Sequence, residues 1–188
     1  MLRELKSALI LFALLTLLTG VVYPAVVTAV ALGVFSRQAN GSLIEGHGSR
    51  LLGQAFGQPR YFWGRPSATT PGPYNGAAST GSNLGVVNDA LRKAVEERIA
   101  ALRATDPGDS RPIPVDLVMA SGSGLDPQIS PAAAEFQVRR VARARGLTEQ
   151  TVRGLVSAAT ESRTFGVLGE PRVNVLELNL ALDAQKSN

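Results

Sequence analysis

Apolar residues run from Ala8 to Phe35 without a single Asp, Glu, Lys or Arg. At 1.5 Å per residue such a helix is about 42 Å long, which exceeds a hydrocarbon core of about 30 Å. The pattern predicts one transmembrane helix at 8–35, with a kink at Pro24 because proline removes a backbone donor. A cleaved signal peptide is the alternative, with Arg3 and Lys6 as its charged region. The apolar run beyond Leu18 is too long for that and favours an anchor.

Cations next to the span predict its orientation. Arg3 and Lys6 precede the span, and Arg37 is the first cation after it. The positive-inside rule then predicts a cytoplasmic N-terminus at 1–7 and an extracytoplasmic domain at 36–188. The chain has no cysteine, which is compatible with either side.

Three helices are predicted beyond the span from their caps and apolar spacing. The first begins after Asn88, with Leu91, Val95, Ile99 and Leu102 on one face. The second has Ser130 as its cap and ends at Gly146, and the third begins at Thr148.

Two strands are predicted around these helices. Residues 115–120 are a β-type run, and leucines alternate with polar residues or alanine over 176–183. Together with the helices they predict an α+β fold: one N-terminal transmembrane helix, then a small mixed α/β soluble domain with about three helices packed on a short sheet. A Gly/Pro/Ser-rich loop at 59–87 contains four aromatic residues, which predicts that it packs against the domain.

No catalytic or metal centre emerges from the residue types. His47 is the only histidine, and it lies in a linker. The loop Ser121, Gly122, Ser123 and Gly124 is the candidate nucleotide-binding segment, because backbone amides between elements can cradle an anion. It lacks the Gly-Lys-Ser/Thr of a phosphate-binding loop, and a structural turn is the favoured alternative. A hydrolase that uses Ser121 or Ser123 stays a third possibility.

Residues 137–156 have the spacing of a helix-turn-helix around Gly146. Five arginines lie there: Arg139, Arg140, Arg143, Arg145 and Arg153. A membrane-anchored DNA-binding regulator is therefore an alternative function. The favoured interpretation involves no nucleic acid, because most of these arginines lie on the first helix. The net charge beyond residue 36 is also only +3, from 17 Lys and Arg against 14 Asp and Glu.

Three blocks of sequence occur in a fixed order behind the span. The first contains Tyr61 to Ser67, Tyr74-Asn75 and Gly81 to Gly85 with Asn88. The second contains Ser121 to Pro127, Ile129 to Pro131, Ala133-Ala134, Gln137-Val138, Arg140 to Ala142 and Ala144 to Gly146. The third contains Leu168 to Val175 and Leu178-Asn179. In this order the blocks resemble the KdpC family, the C subunits of the bacterial Kdp potassium-transporting P-type ATPase. Val86 and Gln128 depart from the usual family residues.

The resemblance implies a single-pass accessory subunit of an inner-membrane complex, so the extracytoplasmic domain is expected on the periplasmic side. The implied subunit assists assembly and acts as a catalytic chaperone, raising the ATP affinity of the ATP-hydrolysing subunit. Its implied partners are a potassium-channel-like subunit, a P-type ATPase subunit and the lipid bilayer. No cofactor is expected to bind firmly, and ATP is expected to act through the complex. The candidate partner-interface residues are Tyr61, Phe62, Trp63, Arg65, Tyr74, Asn75, Asn83, Asn88 and Asp126.

Overall fold

The chain forms two compact units, Met1–Ser49 and Arg50–Asn188. The computed structural model describes residues 2–185. Met1 of the predicted cytoplasmic segment and residues 186–188 of the predicted soluble domain therefore lie outside the described residues.

The first unit is built on one long apolar helix. It comprises α1 (Leu2–Leu17), a π-helical turn (Leu18–Val22) and α2 (Tyr23–Val34). Among the described residues, Arg3–Val34 is the one helix long and apolar enough to cross a membrane. The π-helical turn directly precedes Tyr23 and Pro24, so the helix is irregular next to the predicted kink. Helix α3 (Ser36–Ala39) and a hairpin of β1 (Leu43–Ile44) and β2 (Gly48–Ser49) complete this unit.

The second unit packs four helices with a small antiparallel sheet. The helices are α4 (Asp89–Thr105), α5 (Pro131–Arg145), α6 (Glu149–Ala158) and α7 (Val175–Asp183). The strands are β3 (Gln128–Ile129), β4 (Thr160–Glu161) and β5 (Arg172–Asn174), in the order β3-β5-β4. Val173 of β5 is the central residue, pairing with Ile129 on one side and Thr160 on the other. The predicted α+β class is confirmed.

The three predicted helices begin at the predicted caps. Asn88, Ser130 and Thr148 each accept a hydrogen bond from a backbone N–H in the first turn that follows. Gly146 ends α5 in the left-handed conformation, with φ of 67°. Local capping interactions therefore determine where α4, α5 and α6 begin and where α5 ends.

Helix α5 runs through the centre of the core. Its buried apolar side chains are Ala133, Ala134, Val138, Val141 and Ala142. They pack in one cluster with apolar residues of a 3-10 turn (Val115–Leu117), the sheet, α6 and α7. The core includes one aromatic side chain from the long loop, Phe62.

The strand predicted at 115–120 is wrong. Residues Val115–Leu117 form a 3-10 turn, and the neighbours Leu117 and Val118 are both buried, which an alternating strand does not allow. The Asp116 carboxylate accepts a hydrogen bond from the Ser130 backbone N–H at 2.7 Å. Tertiary packing therefore overrides the β-type composition of this run.

The strand predicted at 176–183 is also wrong, because this segment is helix α7. Its buried residues include Val175, Leu178, Asn179 and Leu182, at the spacing of one helical face. The Asn174 side chain accepts a hydrogen bond from the Glu177 N–H at 3.1 Å, which caps the helix. The leucines occur at every second position, but the buried residues of this segment follow the spacing of a helix.

Candidate functional site

The segment from Arg50 to Asn88 has no helix or strand, yet it is fixed on the second unit. Asn179 holds both backbone groups of Phe62: the Phe62 N–H donates to Asn179 Oδ1 at 2.8 Å, and Asn179 Nδ2 donates to the Phe62 carbonyl at 3.0 Å. Gln137 does the same for Trp63, at 2.8 and 3.1 Å. Both amide side chains are almost fully buried. The two amides replace the neighbouring strand that this backbone lacks.

Two arginines of α5 bind the backbone just before Phe62. Arg140 donates to the Pro59 carbonyl and to Gln137 Oε1, both at 2.6 Å, and its guanidinium lies 4.6 Å from the centre of the Trp63 ring. Burial lowers the pKa of Arg140 to about 10, so it stays charged at neutral pH. Arg145 donates to the Arg60 carbonyl at 2.7 Å. We call residues Pro59 to Trp63, with these contacts, the clamped segment.

The clamped segment contains three of the candidate interface residues. Phe62 is 0% exposed and belongs to the core, so its ring presents no surface to a partner. Tyr61 donates its hydroxyl to Asp183 at 3.1 Å, and Trp63 donates its indole N–H to the Gln58 carbonyl at 3.0 Å. Both rings keep a partly exposed surface. Only these two aromatics of the segment are therefore accessible.

Arg65, Tyr74 and Asp126 meet in one cluster. Arg65 Nη1 is 3.2 Å from Asp126 Oδ2, and the Tyr74 hydroxyl donates to the Arg65 carbonyl at 2.6 Å. Burial raises the pKa of Tyr74 to about 12. Gly53 lies so close to Tyr74 that an added Cβ would be 2.4 Å from the ring. Tyr74 therefore joins three parts of the chain and is structural at this position.

The other candidates lie near the outer surface of the same loop. Asn75 is half-buried and organises its turn, donating to the Thr70 carbonyl and accepting from the Ala77 N–H. Asn83 and Asn88 are exposed, and Asn83 adopts a left-handed φ of 52°. The structure thus separates the candidates into anchoring and exposed residues.

The loop at 121–124 is packed against the Gly/Pro/Ser-rich loop. The Ser121 N–H donates to the Pro66 carbonyl, the Ser123 carbonyl accepts from the Thr80 N–H, and the Gly124 carbonyl accepts from Ser67 Oγ. Ser121 and Gly124 are buried, while Gly122 and Ser123 are exposed. The predicted strand before this loop does not exist. The geometry invoked for a nucleotide cradle, a loop between a strand and a helix, is therefore absent, and nucleotide binding here stays a prediction.

A hydrolytic serine finds no catalytic setting in this loop. Ser121 is almost completely buried, and Ser123 Oγ accepts the Leu125 N–H at 3.1 Å. The only histidine of the sequence, His47, belongs to the first unit. Within residues 2–185, no group of three or more His, Cys, Asp or Glu side chains could hold a metal ion.

The arginines of the predicted helix-turn-helix are engaged inside the domain. Arg139 and Arg143 pair with Asp106, and hydrogen bonds from Arg139 hold the pKa of Asp106 below its usual range. Arg153 pairs with Glu135 and Glu149, each at 2.7 Å. Arg145 pairs with Asp183, and Arg140 is buried. A surface for DNA phosphates needs uncompensated cations, and these five are compensated or buried.

A largely apolar cavity of about 340 Å³ adjoins Trp63 of the clamped segment. Its wall includes Phe56, Trp63, Tyr74 and Leu117, and Arg98 lines one side. Arg98 donates to the Val118 carbonyl at 2.6 Å, which fixes its head group. The buried amides Gln137 and Asn179, which hold this region together, were missed as functional positions by sequence reasoning. What marks each of them is an amide residue at a buried, otherwise apolar position of a helix.

We expect Asn179→Ala to lower the free energy of unfolding by about 3 kcal/mol, because it leaves two buried backbone groups without partners. The measurement is denaturant unfolding of the full-length protein in detergent, followed by the fluorescence of Trp63, the only tryptophan. The control is Gln150→Ala at an exposed position of α6, which should change the free energy by less than about 0.5 kcal/mol. Equal stability of the two variants would contradict the role assigned to Asn179.

The loop at 121–124 offers a matched pair of glycine substitutions. A Cβ at Gly124 would lie 2.5 Å from Thr69 Cγ2 and 2.6 Å from the Thr80 carbonyl oxygen, at a φ of +69°, whereas nothing lies within 4 Å at Gly122. We expect Gly124→Ala to destabilise the protein by about 1–3 kcal/mol. Gly122→Ala should leave the thermal midpoint nearly unchanged. If both variants unfold at the same temperature, the packing of the two loops is not what fixes this turn.

Nearly the whole chain is similar to known proteins of one family. The family model described as KdpC, K+-transporting ATPase, c chain, matches residues 5–184. The potassium-transporting ATPase KdpC subunit of Sorangium cellulosum is 61% identical over 190 residues, covering 99% of this chain and 100% of that protein. The KdpC subunit of Methylococcus capsulatus is 60% identical over 188 residues, covering 98% and 99%. That of Herpetosiphon aurantiacus is 61% identical over 189 residues, covering 98% and 96%. The chain therefore belongs to the KdpC family, the c chains of K+-transporting ATPases.

Proposed function

We propose that this chain is a non-catalytic subunit of an ATP-driven potassium uptake complex, needed for assembly and for high ATP affinity of the ATP-hydrolysing subunit. The observation that carries the proposal is full-length similarity to potassium-transporting ATPase KdpC subunits. The sequence has no Asp-Lys-Thr-Gly-Thr motif, so the phosphorylated aspartate of a P-type ATPase must belong to another subunit.

The second unit supports this role by its rigidity. Four side chains of α5 and α7 bind the backbone of Pro59 to Trp63, and the loop that follows is hydrogen-bonded to residues 121–124. A loop fixed in this way is pre-organised, so binding a partner costs little conformational entropy. The accessible residue types on it, Tyr61, Trp63 and Arg65, are those enriched at protein interfaces.

The apolar helix supports a place in the inner membrane. It has the length and composition of a span, and its small residues permit close approach of partner helices. These small residues are Ala13, Gly20, Ala25, Ala29 and Gly33. In the proposed orientation the second unit is periplasmic, next to the outer side of the channel-like subunit. Any effect on cytoplasmic ATP then passes through the membrane subunits, and this chain needs no nucleotide of its own.

Orientation is tested with single cysteines, since the natural sequence contains none. We expect Ser110→Cys, in an exposed loop of the second unit, to react with a membrane-impermeant maleimide in intact spheroplasts. Ser7→Cys, before the span, should react only after permeabilisation. The reverse pattern would place the domain in the cytoplasm, which refutes the periplasmic placement and is the orientation that a DNA-binding regulator requires.

The coupling to ATP is tested on the complex with and without this chain. Because coupling between two sites commonly amounts to about 5- to 150-fold, we expect the KM for ATP to rise within that range without the chain. Adding the purified full-length chain should restore it. An unchanged KM would refute the proposed effect on ATP. Failure of the tagged chain to recover the other subunits from detergent-solubilised membranes would refute the proposed role in assembly.

A further inference from the structure

The connection between β4 and β5 forms an ordered finger. A bridge pairs Thr164 with Leu168, whose backbones exchange two hydrogen bonds of 2.9 Å. The Gly166 N–H donates to the Arg163 carbonyl at 3.0 Å, which closes the turn. Below it, Arg163 and Glu170 form an ion pair of 2.7 Å across the two arms. We call residues 163–170 the finger.

The finger presents apolar side chains to solvent. Phe165 is 89% exposed, Val167 is 72% exposed and Leu168 is 58% exposed. Phe165 also has a φ of +55°, a left-handed conformation that is uncommon for a bulky residue. Strain of this kind persists where the surroundings hold it, and it concentrates at functional contacts. Packing within the domain gains nothing from this arrangement of Phe165.

A groove of about 650 Å³ adjoins the base of the finger. Gly169 and Glu170 of the finger line it together with Asp116, Asp126 and Arg65. The charged residues that line the groove are Arg65, Asp116, Asp126, Glu170 and Arg172, so a polar segment of a partner fits it. The finger and the groove thus form one continuous surface with an apolar tip and a polar base.

We propose that this finger is an anchor that inserts into an apolar recess of another subunit of the complex, with the groove receiving a polar segment of the same subunit. The inference rests on the proposed function, since it needs a multisubunit assembly. Family membership supplies that partner, because each relative compared is named as a subunit of a potassium-transporting ATPase. A convex aromatic tip with a polar base has the form of an interface hot spot and its rim.

The charges around the finger favour a protein over the bilayer surface. Attachment of a short apolar loop to anionic lipid relies on uncompensated cations. Here Arg163 pairs with Glu170, and Arg172 pairs with Glu161 at 2.9 Å. These two arginines and two glutamates therefore add no net charge to the base of the finger.

A second copy of this chain is also disfavoured. The finger is convex, so it would need a hollow elsewhere on the other copy rather than a second finger. Such a contact joins two different surfaces and does not close into a symmetric pair. It would propagate into a chain of molecules.

The test places a photo-crosslinking phenylalanine analogue at position 165 of the full-length protein, in cells that express the whole complex. We expect light to join this chain to one other subunit. The control has the analogue at Gln150, exposed on α6, and should give at most a faint product. An adduct with lipid, an adduct with a second copy, or no adduct above the Gln150 control would each overturn the proposal.

A second variant measures the contribution of the side chain. We expect Phe165→Asn to reduce recovery of the other subunits by at least about tenfold in a stringent detergent wash, as loss of an interface anchor does. Asparagine tolerates the left-handed conformation, so the thermal midpoint of the purified chain should not fall. Gln150→Asn is the matched control for recovery. Wild-type recovery with Phe165→Asn would refute the anchor while leaving the proposed function intact, whereas failure of the wild-type chain to recover any subunit would refute the proposed function itself.

Discussion

A buried peptide group must find a hydrogen-bond partner, and the second unit depends on how it meets this requirement at Phe62 and Trp63. The chain enters the core there without secondary structure, so no neighbouring strand is present. The amide of Asn179 binds the N–H and the carbonyl of Phe62, and the amide of Gln137 binds those of Trp63. An amide side chain carries an acceptor oxygen and a donor nitrogen, so one side chain can bind both the N–H and the carbonyl of a residue. These contacts join the long loop to α5 and α7.

The sequence was informative where local chemistry decides the structure. The caps at Asn88, Ser130 and Thr148 predicted three helix starts, and the left-handed Gly146 predicted the end of α5. It misled where two periodicities overlap, as in α7, whose leucines at every second position concealed Val175, Leu178 and Leu182 on one helical face. It also misled at 115–117, where packing outweighs the intrinsic preference of Val and Leu for strands.

The candidate site, too, could be predicted from the sequence only in part. Aromatic residues in a Gly- and Pro-rich strip correctly indicated a loop packed on the domain. Composition could not distinguish Phe62, which the core encloses, from Trp63, which remains accessible in part. Only the fold reveals that the backbone groups of the clamped segment are hydrogen-bonded to side chains more than 70 residues away in the sequence. The finger escaped notice because Thr-Phe-Gly-Val-Leu has no pattern that marks it as exposed.

The distance along the chain between Phe62 and Asn179 has a consequence for biosynthesis. The two residues are 117 positions apart, and α7, which carries Asn179, is the last helix of the domain. At about 5–20 residues per second, the ribosome needs roughly 6–23 s to make the intervening chain. During that interval the backbone N–H and carbonyl of Phe62 lack the partner that α7 supplies. The nascent domain is therefore open to proteases and to aggregation until α7 emerges.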